Sequence, residues 1–241
     1  KRFFLTKTDA CAVLGNFAHQ KVSMARRTKE DAAETRSNLL DAAERIFDEK
    51  GVSRTSLNDI AVGAGTTRGA IYWHFKDKAD LFNAMMQRAT LPLESALSRA
   101  GTHHSTDPLD AITAAMRNAL YLTATDAQVR RVFEVATLKV EYVDDLLAVK
   151  QRHLDVRKKC LLHLQSVLTR ASQHYGVVLP LPVDMAAQGL HAIVSGLLQN
   201  WLLDPAAFDL VATGQAAMDA YLAGLGFPQR CANVLGQQAL Q

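Results

Sequence analysis

Thr67, Arg68, Gly69, Ala70, Tyr72, Trp73 and His74 crowd into eight consecutive positions, and most of them carry a hydrogen-bond donor. On a helix of 3.6 residues per turn they fill little more than two turns. Hydroxyls, a guanidinium and ring N–H groups at that density suit nucleic acid. They can donate to phosphate oxygens and to base edges, and the small residues between them let a backbone approach closely. A basic run, Arg26-Arg27-Thr28-Lys29, precedes them in the chain.

Something must hold such a helix away from the core. The stretch Ser56 to Phe75, SLNDIAVGAGTTRGAIYWHF, reads as a helix-turn-helix. Ala61 is small enough for the second helix to come close. Gly65 takes the positive φ of a sharp turn. Ile71 packs the second helix, Thr67 to His74, back onto the first. Thr55 or Ser56 caps the first of the two, and Asp59 completes a capping-box spacing with Ser56. Thr66 or Thr67 caps the second. A helical hairpin that served stability alone would gain nothing by exposing Tyr72 and Trp73. Phe75, by contrast, is expected in the core with Ile71.

The flanking elements follow the same logic. A first helix is expected from about Asp31 to Lys50, with Leu39, Leu40, Ala43, Ile46 and Phe47 on one stripe and Gly51 ending it. Asp77 caps a fourth helix that carries Leu81, Phe82, Met85 and Met86 inward and runs toward Pro92. Further helices are expected at about Leu109–Thr123, Ala127–Lys139, Val143–Tyr175, Asp184–Leu203 and Phe208–Leu225. His103 to Pro108 is a polar loop. Residues 1–23 read as a disordered leader or extension ahead of Met24, residues 24–91 as the helix-turn-helix unit, 92–227 as a second helical unit, and 228–241 as a tail.

Composition bounds the alternatives. The 241 residues have ample core, with 49% hydrophobic content and six prolines. The formal charge of +3 belongs to the leader, where Lys1, Arg2, Lys7 and Lys21 face Asp9; the remainder holds 23 basic and 23 acidic residues. DNA affinity must therefore come from local placement of charge. Three widely spaced cysteines, Cys11, Cys160 and Cys231, make no disulfide framework and fit a reducing, cytoplasmic setting. Cys160 and His163 stand one turn apart, but two ligands do not make a metal site, and no metal or cofactor is expected. No apolar run approaches the length of a membrane span. No nucleophile elbow or phosphate loop is present, and Asp144-Asp145 are adjacent, so they do not face one pocket. Neither an enzyme nor a pure oligomerisation module accounts for Arg68, Tyr72 and His74.

Residues 24–100, through ETRSNLLDAAERIFDEKGVSRTSLNDIA and TRGAIYWHFKDKADLF, closely resemble the DNA-binding domain of the TetR family of bacterial repressors. The wording is most similar to the branch that represses multidrug efflux pumps, the AcrR and TtgR type. A weaker resemblance runs through DPLDAI and GLLQNWLLDPAAFDL to about residue 227. It implies an all-α protein: an N-terminal three-helix DNA-binding domain and a C-terminal helical domain for ligand binding and dimerisation. It implies that Thr55 and Lys78 meet phosphate, while Thr67, Arg68, Gly69, Ala70, Tyr72, Trp73 and His74 lie in or beside the major groove. For a small hydrophobic or aromatic effector it implies a pocket in the C-terminal helices. Candidate walls are Ile112, Ala115, Met116 and Ala119; then Phe133 and Thr137; then His191, Val194, Ser195 and Leu198. Ala186, Leu190, Ile193, Leu197 and Trp201, with Val211, Met218, Tyr221 and Leu225, are left to form a homodimer interface. The function implied is a ligand-responsive repressor on double-stranded operator DNA, of a multidrug efflux operon; the alternative is a metabolic or catabolic operon answering to its own metabolite.

Overall fold

The computed structural model describes residues 7–102, 107–141 and 146–229, with side chains described except in 7–28, 91–102 and at 111. The described chain is nine α-helices: α1 Lys7–Lys50, α2 Leu57–Gly63, α3 Arg68–His74, α4 Lys78–Thr102, α5 Pro108–Thr125, α6 Ala127–Leu138, α7 Leu147–Tyr175, α8 Val183–Leu203 and α9 Leu210–Gly224. Short side chains at the helix starts fix the boundaries. Ser56 and Asp59 form the complete capping box of α2, and Asp107, Asp126 and Asp209 accept backbone N–H groups at the heads of α5, α6 and α9.

Two elements run further than their sequence signals. The first helix extends back to Lys7, across the stretch read as a disordered leader and well before Asp31. Residues 7–30 contain no proline and a single glycine, with four alanines and three lysines, so no strong breaker stops the helix once it has formed. The fourth helix passes through Pro92 to Thr102 instead of stopping there. A break at Pro92 as a boundary between units is therefore not a break in the backbone. The first six residues, the loop 103–106 and the tail from 230 lie outside the described residues.

Two hydrophobic cores hold the molecule. The first gathers Leu39, Ala43, Ile46 and Phe47 of α1, Ile60 and Ala61 of α2, Ile71 of α3, and Leu81, Phe82 and Met85 of α4. It also takes Val132 and Val135 from α6, and Leu146 and Val149 at the head of α7. The second joins α5, the C-terminal half of α7, α8 and α9 around Leu109, Ile112, Leu120, Leu168, Leu190, Trp201 and Met218. Helix α6 lies between the two cores: Val132 and Val135 enter the first, and Phe133 packs against the second.

Polar contacts fasten both ends of α6 to α1. At its start, the Gln128 amide donates to the Glu44 carboxylate at 3.2 and 3.4 Å. Glu44 is 3% exposed and pairs with Arg88 of α4, which also holds Asp41 at 2.7 Å. At its end, Lys139 donates through Nζ to the Asp48 carbonyl at 3.1 Å and accepts from the Val52 N–H at 3.1 Å. Helices α1 to α4 form a head, α5 and α7 to α9 form the body, and α6 lies between them in contact with both.

Candidate DNA interface and effector cavity

The recognition helix is held from below and left bare above. Ala61 and Ile71 have no exposed surface, and Gly65 has φ +68°, the left-handed conformation that closes the turn between α2 and α3. A second close approach went unread in the sequence. A Cβ on Gly63 would stand 2.5 Å from the Ile46 Cδ1, so a larger residue there would force the end of the Ile46 side chain to shift. Gly63 is itself exposed at the end of α2, so hydrophobic periodicity carries no sign of this approach.

Above this base, Thr67 caps α3 by accepting the Ala70 N–H at 3.2 Å. Arg68 is exposed, with its guanidinium 5.7 Å from the centre of the Tyr72 ring. Gly69 faces open space; a Cβ there would meet only the Thr67 hydroxyl at 3.9 Å. Ala70 is half-buried. Tyr72 is 50% exposed and Trp73 74% exposed. His74 sets its ring edge-on to Trp73 at 4.6 Å. Burial, with the Arg36 charge second, holds its imidazole below the ordinary value of 6.5, which makes it a neutral hydrogen-bonding group at pH 7. Phe75 and Ile71 are in the core, as expected.

Beside α3 lies an open cleft lined by Ser53, Arg54, Thr55, Ser56, Leu57, Tyr72, Lys76, Asp77 and Lys78. It joins the heads of α2 and α4 to Tyr72, so Thr55, Tyr72 and Lys78 come together although they are distant in sequence. One role needs correction. The Thr55 side chain is 2% exposed, and its hydroxyl donates to the Gly51 carbonyl at 2.8 Å. It braces the turn instead of reaching outward. Arg54 and Lys76, not singled out in the sequence, are exposed and supply the polar surface there, while the Ser53 hydroxyl is buried. Lys78 donates to the Ser53 carbonyl at 3.2 Å, and Asp77 caps α4 through the Asp80 N–H at 2.8 Å. Arg26, Arg27 and Thr28 lie on α1 with their side chains outside the described residues; Lys29 is exposed.

A cavity of about 160 Å³ opens where head meets body, lined by Phe82, Asn83, Met86 and Thr90 of α4, Phe133 and Ala136 of α6, and Val149, Arg152, His153 and Val156 of α7. Of the ten residues expected at a ligand site, Phe133 alone lines it among the described residues. Ile112 and Met116 are buried in the body core, with Ala115 and Ala119 half-buried on the same helix. Thr137 is exposed on α6. Val194 and Leu198 pack against the body core, His191 is half-buried, and Ser195 is exposed, with its hydroxyl donating to the His191 carbonyl. Ile112, Met116, Val194 and Leu198 sit where helices of the body meet, whereas this cavity forms between α4, α6 and α7.

The residues assigned to a dimer interface divide: Ile193, Leu197, Val211 and Tyr221 are half-buried, and the others are buried within the chain. Ala186, Leu190, Trp201, Met218 and Leu225 are 5% exposed or less. Arg130 lies over the Trp201 ring at 4.9 Å, and the Tyr221 hydroxyl donates to the Ala186 carbonyl at 3.0 Å. They tie α8 to α9 and α6 within the chain. The faces left outward carry Met185, Ala192, Gln199 and Leu203 on α8, and Ala212, Ala216, Ala220 and Gly224 on α9.

Among the described residues, no group of three metal-binding side chains converges, and no helix is long and apolar enough to cross a membrane. Burial pushes the Cys160 thiol up, as it does for a thiol packed among carbon atoms.

Comparison with known proteins matches this architecture in both halves. Residues 39–85 fit the family described as "Bacterial regulatory proteins, tetR family", and residues 107–227 fit "MAATS-type transcriptional repressor, C-terminal region". The chain is 36% identical to the HTH-type transcriptional repressor BepR of Brucella suis over 203 residues, covering 84% of this chain and 97% of that protein. It is 35% identical to the HTH-type transcriptional regulator TtgR of Pseudomonas putida, covering 83% and 95%. The crystal structure of NalD, the secondary repressor of the MexAB-OprM multidrug efflux pump in Pseudomonas aeruginosa, superposes with a TM-score of 0.74 at 33% identity, covering 81% of this chain and 98% of that one. With the bare recognition helix, the basic cleft beside it and a helical body behind, the chain belongs to the TetR family of bacterial transcriptional repressors.

Proposed function

We propose that this repressor is a cytoplasmic homodimer that controls a multidrug efflux operon and leaves its operator when a small hydrophobic or aromatic compound fills the cavity between head and body. The observation that carries the reading is the composition of the cavity wall. Phe82, Asn83 and Met86 stand on the helix whose first residue is Lys78, and Phe133 stands on the helix fastened at both ends to α1. A compound lodged there touches the head on one side and α7 on the other. If it binds better when the two stand apart, it shifts the population away from the DNA-bound arrangement.

On DNA, each α3 enters a major groove. Arg68, Tyr72, Trp73 and His74 face bases and phosphates, while Arg54, Lys76 and Lys78 grip the backbone beside the groove. Two copies pair through the outward faces of α8 and α9, whose small residues let four helices approach closely. The pair sets two recognition helices about 34–36 Å apart, one helical turn of DNA. Relatives that repress efflux pumps, such as NalD, support the operon class.

The test is a gel shift with DNA upstream of the chain's own gene. Retardation of a palindrome-bearing fragment at nanomolar protein, reversed by single-ring or two-ring aromatic compounds, is expected. Tight binding that no such compound reverses would remove the effector half of the proposal.

A further inference from the structure

The α7 face that fronts the cavity carries Val149, Arg152, His153 and Val156, spaced i, i+3, i+4 and i+7. Helix geometry sends all four side chains to the same side. Packing against Phe82, Met86 and Phe133 would call for four apolar residues there, and arginine is among the residue types least often buried. Instead, the middle of the stripe is a half-buried arginine with an exposed histidine beside it, between two valines. Among the described residues no carboxylate lines the cavity; Asn83 and Thr90 complete its polar wall and are neutral. The surrounding turns add to the positive field. Between residues 150 and 159, Lys150, Arg157, Lys158 and Lys159 join Arg152 against one acid, Asp155, which is exposed and accepts the Gln151 amide at 3.0 Å. The volume of about 160 Å³ is close to that of an apolar cavity known to hold one benzene ring.

We propose that the effector is an aromatic acid: its single ring fills the apolar part of the cavity and its carboxylate is held by Arg152, with His153 at the rim. This rests on the reading of the cavity as the effector site. A carboxylate entering an apolar cavity gives up its water and needs charged donors in exchange. The planar guanidinium fork matches the two carboxylate oxygens, and bonds of that kind are about twice as strong as neutral ones. A neutral amide of the same shape offers one acceptor oxygen and brings N–H groups that a guanidinium cannot accept. A cation of the same shape meets like charge. The ring lies against Phe82 and Met86 of α4 and Phe133 of α6 while the carboxylate holds α7, so one small molecule bridges the two sides of the cavity.

The test uses the full chain and three compounds of one shape, 4-methylbenzoate, 4-methylbenzamide and 4-methylbenzamidinium, titrated by calorimetry. Wild type should bind the acid about tenfold or more tighter than the amide, and the cation weakest. Arg152→Gln should abolish most of that preference by weakening the acid and leaving the amide little changed. Arg152→Lys keeps the positive charge and should keep the acid ahead of the amide, which holds the test open if the glutamine variant folds poorly. Met86→Trp fills the cavity and should weaken the acid as well, which separates the cavity from the basic surface of α7. An arginine that only lays its stem along the cavity and keeps its charge in water would leave wild type binding acid and amide alike. That result, a preference that survives Arg152→Gln or is lost in Arg152→Lys, or an acid that binds Met86→Trp as tightly as wild type, would overturn the proposal and leave the effector cavity standing. If wild type binds none of the three, the acid class is wrong; if in addition no aromatic compound releases the operator, the cavity reading has failed as well.

Discussion

Tyr72 and Trp73 keep at least half their surface in water on a helix of seven residues, and no packing benefit accounts for them. Tyr72→Ala should therefore leave the melting temperature unchanged and weaken operator binding by roughly 1–3 kcal/mol per subunit, the worth of a lost base or phosphate contact. A variant that melts early but still binds DNA would put Tyr72 in the fold and not in the groove. His163 offers a second check, through pH. Its Nε2 is buried without a partner, and burial, helped by the Arg170 charge, lowers its pKa below 6.5. The unfolded chain then takes up the proton first. The stability due to neutral His163 is complete above pH 6.5 and is lost as pH falls below that value toward the lower folded pKa. Chemical denaturation should show His163→Leu losing less stability between pH 7.5 and 5.5 than wild type; an equal loss would mean that other groups carry the slope. At this scale the sequence was readable where chemistry is local. Ser56 with Asp59, Gly65, Ile71 and Phe75 all took the positions their types implied. Thr55 did not, because whether a hydroxyl points outward or back to the Gly51 carbonyl is decided by a turn that spacing does not describe.

Among the helices, α6 is the one whose neighbours the sequence could not name, since it packs against α1 and α4 on one side and α5 and α8 on the other. Its apolar stripe announced a helix, but a stripe does not say which neighbour it meets. Val132 and Val135 meet the head, and Phe133 and Ala136 meet the cavity. For the same reason Ile112, Met116 and Val194 could be read as pocket when they are core: both environments ask for apolar side chains at helical spacing. The long α1 and the passage of α4 through Pro92 were missed because helix-stopping signals are probabilistic and neighbouring turns can carry a helix past one. The clamp of Glu44, Arg88 and Gln128 is where this geometry can be tested. Glu44→Ala leaves the Arg88 guanidinium short of its buried partner. Arg88 keeps about a quarter of its side chain in water, so the loss should sit near the low end of the range for a broken buried pair, roughly 3 kcal/mol. Urea unfolding measures it directly. A loss below about 1 kcal/mol, typical of a surface pair, would mean the clamp contributes little to holding α6 on the head.

As a whole, the molecule is a head with an exposed α3 and a body whose α8 and α9 each leave one face outward, the face proposed to meet a second copy. Ala216 is exposed in the single chain, so Ala216→Glu should fold normally. If α9 lies at the twofold contact, the carboxylate is buried without a partner, and the variant should elute as a monomer with much weakened operator affinity. A dimer that persists would move the contact elsewhere on the body. The central claim is that DNA and an aromatic effector compete for two arrangements of one protein, and coupling of that kind is reciprocal. The decisive measurement is operator affinity by fluorescence anisotropy, with and without saturating effector, paired with effector affinity with and without operator at the same salt concentration. The account predicts that each weakens the other by the same factor, about 5-fold to 150-fold. An effector that binds in the cavity and leaves operator affinity unchanged would contradict it.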